Sequence, residues 1–192
     1  MRQRFKEFNR LRMEKIKPKT QNELDLVNIK IGIGINTDFA ISGNIGSTKR
    51  MEFTSIGDGV NLGSRLEGTS KTYGTDIIIS ENTFKACGER LWTMELDRIQ
   101  VKGKNQPVSI YELLGFRSDP LSENQEQIIE HYNKAREFYH AWKFSKAVSA
   151  FAEVLELDNK NKSASLHLSR CQHFLVNPPS EDWDGVWRLT EK

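Results

Sequence analysis

Leu26-Val27-Asn28-Ile29-Lys30-Ile31-Gly32-Ile33-Gly34-Ile35 is the stretch on which the fold turns. Val27, Ile29, Ile31, Ile33 and Ile35 fall on one side of an extended chain. Asn28, Lys30, Gly32 and Gly34 fall on the other. That period of two predicts a sheet strand. Working outward, Phe39–Ile45 and Arg50–Ile56 predict two further strands, with Gly46-Ser47-Thr48-Lys49 as the turn between them. Asp58 is placed to cap a helix that carries Val60, Leu62 and Leu66 on one side. Thr75–Ile79 reads as a short strand, and Ser80 as the cap of a helix over Glu81–Cys87. Leu91–Val101 and Pro107–Leu114 form a closing strand pair around Gly103-Lys104-Asn105-Gln106. Residues 24–115 therefore alternate strands and helices.

The flanks differ from this centre. Residues 1–19 hold eight Lys or Arg against Glu7 and Glu14. Phe5, Phe8, Leu11 and Ile16 lie close to one face, so a basic amphipathic helix is expected, ended by Pro18. Residues 118–124 read as a linker and residues 125–175 as helices. Ala135, Phe138, Ala147, Phe151 and Leu155 fall where a 34-residue tetratricopeptide repeat has small and aromatic residues. Asn159 replaces that repeat's proline, and Lys134 takes an apolar position. Ser163–Phe174 would open a second repeat. Fewer than two repeats cannot stand as a solenoid, so these helices must lean on the neighbouring domain or on further repeats. Residues 176–192, with Trp183 and Trp187, form an aromatic tail expected to dock.

Composition narrows the function. With 37% hydrophobic and 28% charged residues and no apolar run near the length of a bilayer span, the sequence shows no membrane segment. A net charge of +2 is too small to argue for nucleic acid. Cys87 and Cys171 fit no metal or redox spacing, which suits a reducing, cytoplasmic setting.

Three groups of residues invite chemistry. Gly32-Ile33-Gly34 suggests a dinucleotide loop, but the third glycine of G-x-G-x-x-G would be Thr37, and the pair lies within a strand. Close backbone approach explains it better. Asn61 and Arg65 are one helical turn apart, so an amide and a guanidinium share a face and can hold a sugar oxygen and a phosphate. By spacing alone a solvated face is the simpler explanation. Lys102 and Lys104 flank a glycine and can reach phosphates or decorate a hairpin.

The order of the pieces decides among these readings. Ile31-Gly32-Ile33-Gly34-Ile35-Asn36-Thr37 is followed by Gly43-Asn44-Ile45-Gly46-Ser47, Phe53-Thr54-Ser55-Ile56-Gly57-Asp58-Gly59-Val60-Asn61 and Arg65-Leu66-Glu67. Val101-Lys102-Gly103-Lys104, Pro107 and Tyr111-Glu112-Leu113 close the series. Together they resemble the second half of a class III adenylyl/guanylyl cyclase catalytic domain, over roughly residues 5–115. The tail ending in Trp183-Asp184-Gly185-Val186 is similar to the segment C-terminal to that domain in some bacterial members.

The resemblance implies an α+β fold: a partial ferredoxin-like α/β sandwich over residues 1–117, followed by a short all-α tetratricopeptide-like extension. It implies a dimer with sites at the interface, in which the ribose 3′-oxygen of ATP attacks the α-phosphate and pyrophosphate leaves. Asn61 matches the asparagine that orients the ribose. Arg65 matches the arginine that stabilises charge on the phosphate, and Lys102 the lysine that holds the terminal phosphates. Thr54 stands where bacterial adenylyl cyclases place a hydroxyl against the adenine amino group, which favours ATP over GTP.

The family's metal carboxylates belong to a Phe-x-Asp-Ile-x-x-Phe strand motif and a Gly-Asp turn of the first half. Neither motif occurs in this sequence. Mg²⁺ or Mn²⁺ would take its ligands from that half or from a partner chain, and Asp58 matches a helix-start position, not a ligand. The expectation is a chain inactive by itself that contributes half a site in a homodimer or in a heterodimer with an intact cyclase. The competing readings are an inactive cyclase-like or tetratricopeptide interaction module with a protein partner on its helices, and a phosphate-binding domain without turnover.

Overall fold

The computed structural model describes residues 2–47, 49–100 and 106–188, with side chains from residue 4 onward. It divides into two compact units, residues 1–31 and residues 32–192. In the first, α1 (Arg2–Ile16) and α2 (Gln21–Val27) form a helix pair. Lys17 leaves α1 in a left-handed conformation directly before Pro18, so the helix ends where the sequence places its stop. Asn9 Nδ2 donates to the Ile29 carbonyl at 2.9 Å, and Arg12 Nε to the Val27 carbonyl at 3.2 Å, closing the pair.

The strand expected over residues 26–35 is a correction. Only Ile33–Ile35 forms β1, and Leu26 and Val27 end a helix. The reason is local. Thr20 Oγ1 accepts from the Glu23 amide while the Glu23 carboxylate accepts from the Thr20 amide, a capping box that starts α2 before the alternation can act.

The second unit is built on a five-stranded sheet ordered β1-β4-β6-β5-β7, from β1, β4 (Ile77–Ser80), β6 (Val108–Phe116), β5 (Leu91–Gln100) and β7 (Trp187–Arg188). β1 runs parallel to β4 and β7 parallel to β5, while the central pairings are antiparallel. β2 (Ile41–Ser47) and β3 (Arg50–Ile56) form a separate antiparallel hairpin. α3 (Asp58–Tyr73) connects β3 to β4, and α4 (Glu81–Cys87) follows β4 directly. Ser80 Oγ accepts from the Thr83 amide, as its place before α4 predicts.

α5 (Glu123–His140), α6 (Phe144–Leu157) and α7 (Lys162–Val176) complete the unit. They share one core with the sheet. Leu62 and Leu66 of α3, Ile78, Met94, Leu96, Ile99 and Ile110 of the strands, and Tyr132, Phe151, Ala164 and Cys171 of the last three helices are buried together. The aromatic tail docks: the Trp183 ring lies 5.3 Å from Tyr139 and 5.1 Å from Phe174, and the Arg170 guanidinium sits 3.9 Å over Trp187.

Candidate functional site

α3 is the platform of the candidate site, and its start is held from several directions. Its N-cap is Gly57, at φ +150°, with no side-chain cap; Asp58 is the first helical residue and not the cap expected of it. That φ belongs to glycine, so the chain turns from β3 into the helix through a backbone geometry and not through a carboxylate. Asn36 Nδ2 donates to the Gly59 carbonyl at 3.0 Å, and Asn36 Oδ1 accepts from Ser80 Oγ at 2.6 Å. One side chain just beyond β1 thereby ties the first turn of α3 to the β4–α4 junction. Gly34 is needed for close approach, but to the helix and not to a neighbouring strand. A Cβ there would collide with the Gly63 carbonyl oxygen and the Glu67 amide nitrogen.

With its buried stripe fixed by Leu62 and Leu66, α3 turns Asn61 and Arg65 away from the core, Asn61 exposed and Arg65 half-buried. Four residues apart, they stand about 6 Å apart along the axis. Neither side chain forms a hydrogen bond among the described residues. The amide can donate to and accept from a hydroxyl, and the guanidinium can donate to phosphate oxygens.

Thr54 occupies a different element. It lies exposed in β3, paired in register with Gly43, four residues before α3 begins. The β2–β3 hairpin pairs with no other strand among the described residues, and Phe39 beside it is 97% exposed. Lys102 lies outside the described residues, as do Gly103 and Lys104. The structure thus sets Asn61 and Arg65 on one face and leaves Thr54 on the adjoining hairpin. Among the described residues no three His, Cys, Asp or Glu side chains group closely enough to hold a metal ion.

Sequence reasoning missed the buried charge that joins the site's elements. Asp97 on β5 is 0% exposed. Its Oδ1 accepts from Arg136 Nη1 of α5 at 3.1 Å, and its Oδ2 from Arg170 Nη1 of α7 at 2.5 Å and from the Tyr73 hydroxyl at 2.7 Å. Tyr73 is the last residue of α3, and its carbonyl accepts from Ser163 Oγ of α7 at 2.8 Å. A β-bulge makes room for this. The ladder pairs Glu95 with Tyr111 and Asp97 with Ile110, leaving Leu96 as the extra residue. The Leu96 carbonyl then accepts from the Tyr132 hydroxyl at 3.0 Å and from His167 Nε2 at 2.9 Å.

Burial alone would push the Asp97 carboxyl up. The neighbouring positive charges, from His167 when protonated and from Arg136 and Arg170, outweigh it and hold the group well below the usual range. Burial also drives His167 down to about 3, so the ring is neutral at pH 7 and the two guanidiniums carry that effect. Because the Leu96 carbonyl can only accept, His167 is the Nε2–H tautomer. Burial, reinforced by Asp97, likewise raises the Tyr73 hydroxyl. The signal in the sequence was an acid directly after Leu96 and two residues before Ile99 in β5, with Arg136 and Arg170 34 residues apart.

The family profile described as the adenylate and guanylate cyclase catalytic domain matches residues 4–115, more than half of the chain. The terminal-differentiation-specific adenylate cyclase of Dictyostelium discoideum is 32% identical over 147 residues, covering 75% of this chain and 7% of its own length. An adenylate cyclase of Anabaena cylindrica is 41% identical over 91 residues, covering 46% of this chain and 18% of its own. The crystal structure of the adenylyl cyclase CyaB from P. aeruginosa shares 32% identity over 53% of each chain, with a TM-score of 0.42. The chain spans less than a fifth of the length of these two curated relatives. By the extent of the profile match, it belongs to the adenylate and guanylate cyclase catalytic domain family.

Proposed function

We propose that this chain supplies the ribose- and phosphate-binding half of a nucleotide cyclase site, acting on ATP to give cyclic AMP and pyrophosphate. The observation that carries this reading is the pairing of Asn61 and Arg65 on one outward face of α3; by the resemblance in sequence, these residues match the family's ribose and transition-state residues. The Asn61 amide orients the ribose so that its 3′-oxygen lies in line with the α-phosphorus. The Arg65 guanidinium takes up the charge that grows on the α-phosphate oxygens as that bond forms and the bond to pyrophosphate breaks. Lys102 is assigned to the terminal phosphates and Thr54 to the adenine amino group. The metal carboxylates belong to a first-half motif outside residues 1–192, and we assign them to that half of the domain or to a partner chain in a homodimer or heterodimer.

The test is complementation. A full-length cyclase disabled at its own asparagine and arginine positions is mixed with this chain, ATP and Mg²⁺, and cyclic AMP is measured. The parent chain is expected to restore product, Arg65→Ala to abolish the rescue, and the chain alone to make none. Lack of rescue by the parent chain refutes the half-site reading. A second reading, a tetratricopeptide-like module that binds a protein partner, is favoured by the 34-residue spacing of Arg136 and Arg170. It expects binding to the cyclase without rescue.

A further inference from the structure

α3 is held at both ends, and the hold on its far end reaches it from beyond the cyclase match. Tyr73, its last residue, is buried. The Tyr73 hydroxyl donates to Asp97, which Arg170 of α7 also engages. The Tyr73 carbonyl is one of the C-terminal carbonyls that a helix cannot satisfy within itself. It accepts instead from Oγ of Ser163, the buried second residue of α7. The next residue, Gly74, caps α3 at φ +70°, and a Cβ there would stand 2.7 Å from Cβ of Lys162, the first residue of α7. The negative end of one helix thus meets the positive end of the other, an arrangement that stabilises both. Lys162, Ser163 and Arg170 all lie beyond residue 115, where the family profile stops.

The dimensions of α3 fix what this contact controls. The hydrogen bond from Asn36 to the Gly59 carbonyl makes the first turn the pivot. Gly34 limits how near the middle of the helix can come to β1, but a steric stop does not set which way the far end swings. Ser163→Ala replaces the 2.8 Å hydrogen bond by a van der Waals contact of about 3.5–4 Å, a release of about 1 Å at Tyr73. Arg65 stands near mid-helix and receives about half of that, whereas Asn61, in the first turn, receives about a fifth. A misplacement of about 1 Å costs a reaction about a hundredfold, so half of it costs about tenfold. The loss falls on the transition-state charge that Arg65 takes up and spares the ribose contact of Asn61. We propose, resting on the half-site reading above, that Ser163 is a positioning residue for Arg65 and acts through the end of α3.

The complementation mixture, saturated with this chain, tests the role in turnover. Ser163→Ala is expected to lower kcat about tenfold and to leave the KM for ATP within about twofold of the parent. A residue that only stabilised the fold would leave kcat at saturation unchanged. NMR of the full chain without nucleotide gives a second readout that needs no cyclase activity. Ser163→Ala is expected to move the backbone amide signal of Arg65 more than that of Asn61, with the Gly43 amide on the hairpin unmoved. Should Ser163→Ala unfold, Tyr73→Phe, which cuts the tie to Asp97 and keeps the ring, is expected to give the same two results. A parent chain that fails to rescue removes the half-site reading, and the NMR signals then decide this inference by themselves. Parental kcat in Ser163→Ala, a rise in KM alone, or an unmoved Arg65 signal overturns the proposal.

Discussion

Replacing Asp97 by Asn should be among the most damaging conservative changes in the molecule. The side chain is fully buried and is the counter-charge of Arg136 and Arg170, themselves 5% and 4% exposed. Asn keeps the volume but strands two guanidiniums in the core and turns one acceptor into a donor facing a donor. Breaking a buried ion pair by removing one partner costs about 3–5 kcal/mol; here Arg170 is left with no carboxylate and Arg136 with Glu95 alone, 3.6 Å away. With a urea slope of about 2–3 kcal/mol per molar, the unfolding midpoint at pH 7 should fall by roughly 1–2.5 M, read by circular dichroism.

The pH dependence follows from the sign of the shift. The folded carboxyl titrates below its unfolded value of about 3.9, so its contribution is complete above that pH and fades as the pH falls toward the folded value. The gap between parent and variant should be flat from pH 7 to about 4 and narrow below. The triple change Asp97→Leu, Arg136→Met, Arg170→Met should recover most of the loss, because the damage comes from unpaired charge and not from lost volume. A variant within about 1 kcal/mol of the parent, or a gap that stays constant down to about pH 2, would refute this reasoning.

Other outcomes can be checked on the same chain. His167, pushed down to about 3 by burial, is neutral in the folded state and protonates near 6.5 once unfolded. Its contribution is therefore present above about pH 6.5 and drains away as the pH falls toward 3; melting curves of His167→Gln should lack that slope. Gly34→Ala should cost about 1–3 kcal/mol in urea unfolding, since its methyl would meet backbone atoms of α3. Gly43→Ala, with nothing within 4 Å of the added atom, serves as the neutral comparison. Gly57→Ala forces a side chain into a φ of +150° and should lose about 1–3 kcal/mol while weakening the rescue assigned to Arg65.

The elements that local pattern controls are legible in the sequence. The strand pair flanking Gly103 appears as β5 and β6, Ser80 caps α4, and the helix opening at residue 58 presents Asn61 and Arg65 together. The failures have a common cause in interactions that periodicity does not see. The alternation from Leu26 to Ile35 carries no trace of Thr20 and Glu23, whose reciprocal bonds commit the chain to α2. Asp58 has the right chemistry for a cap, but the positive φ of Gly57 takes that role. Asp97 resembles any charge on a strand, because its partners lie 39 and 73 residues away and only the bulge at Leu96 aims it inward.

The sharing of one interior by the sheet and α5–α7 bears on how such chains diversify. An acid at position 97 is tolerable only while two arginines arrive from sequence beyond the cyclase match. Loss of those helices in a descendant would leave a naked carboxylate in the sheet, and selection should then favour a small or neutral residue there. The character of one strand position would therefore travel with the presence or absence of a segment inherited from well downstream of it. A family tree sorted by residue 97 should sort the appended helices with it.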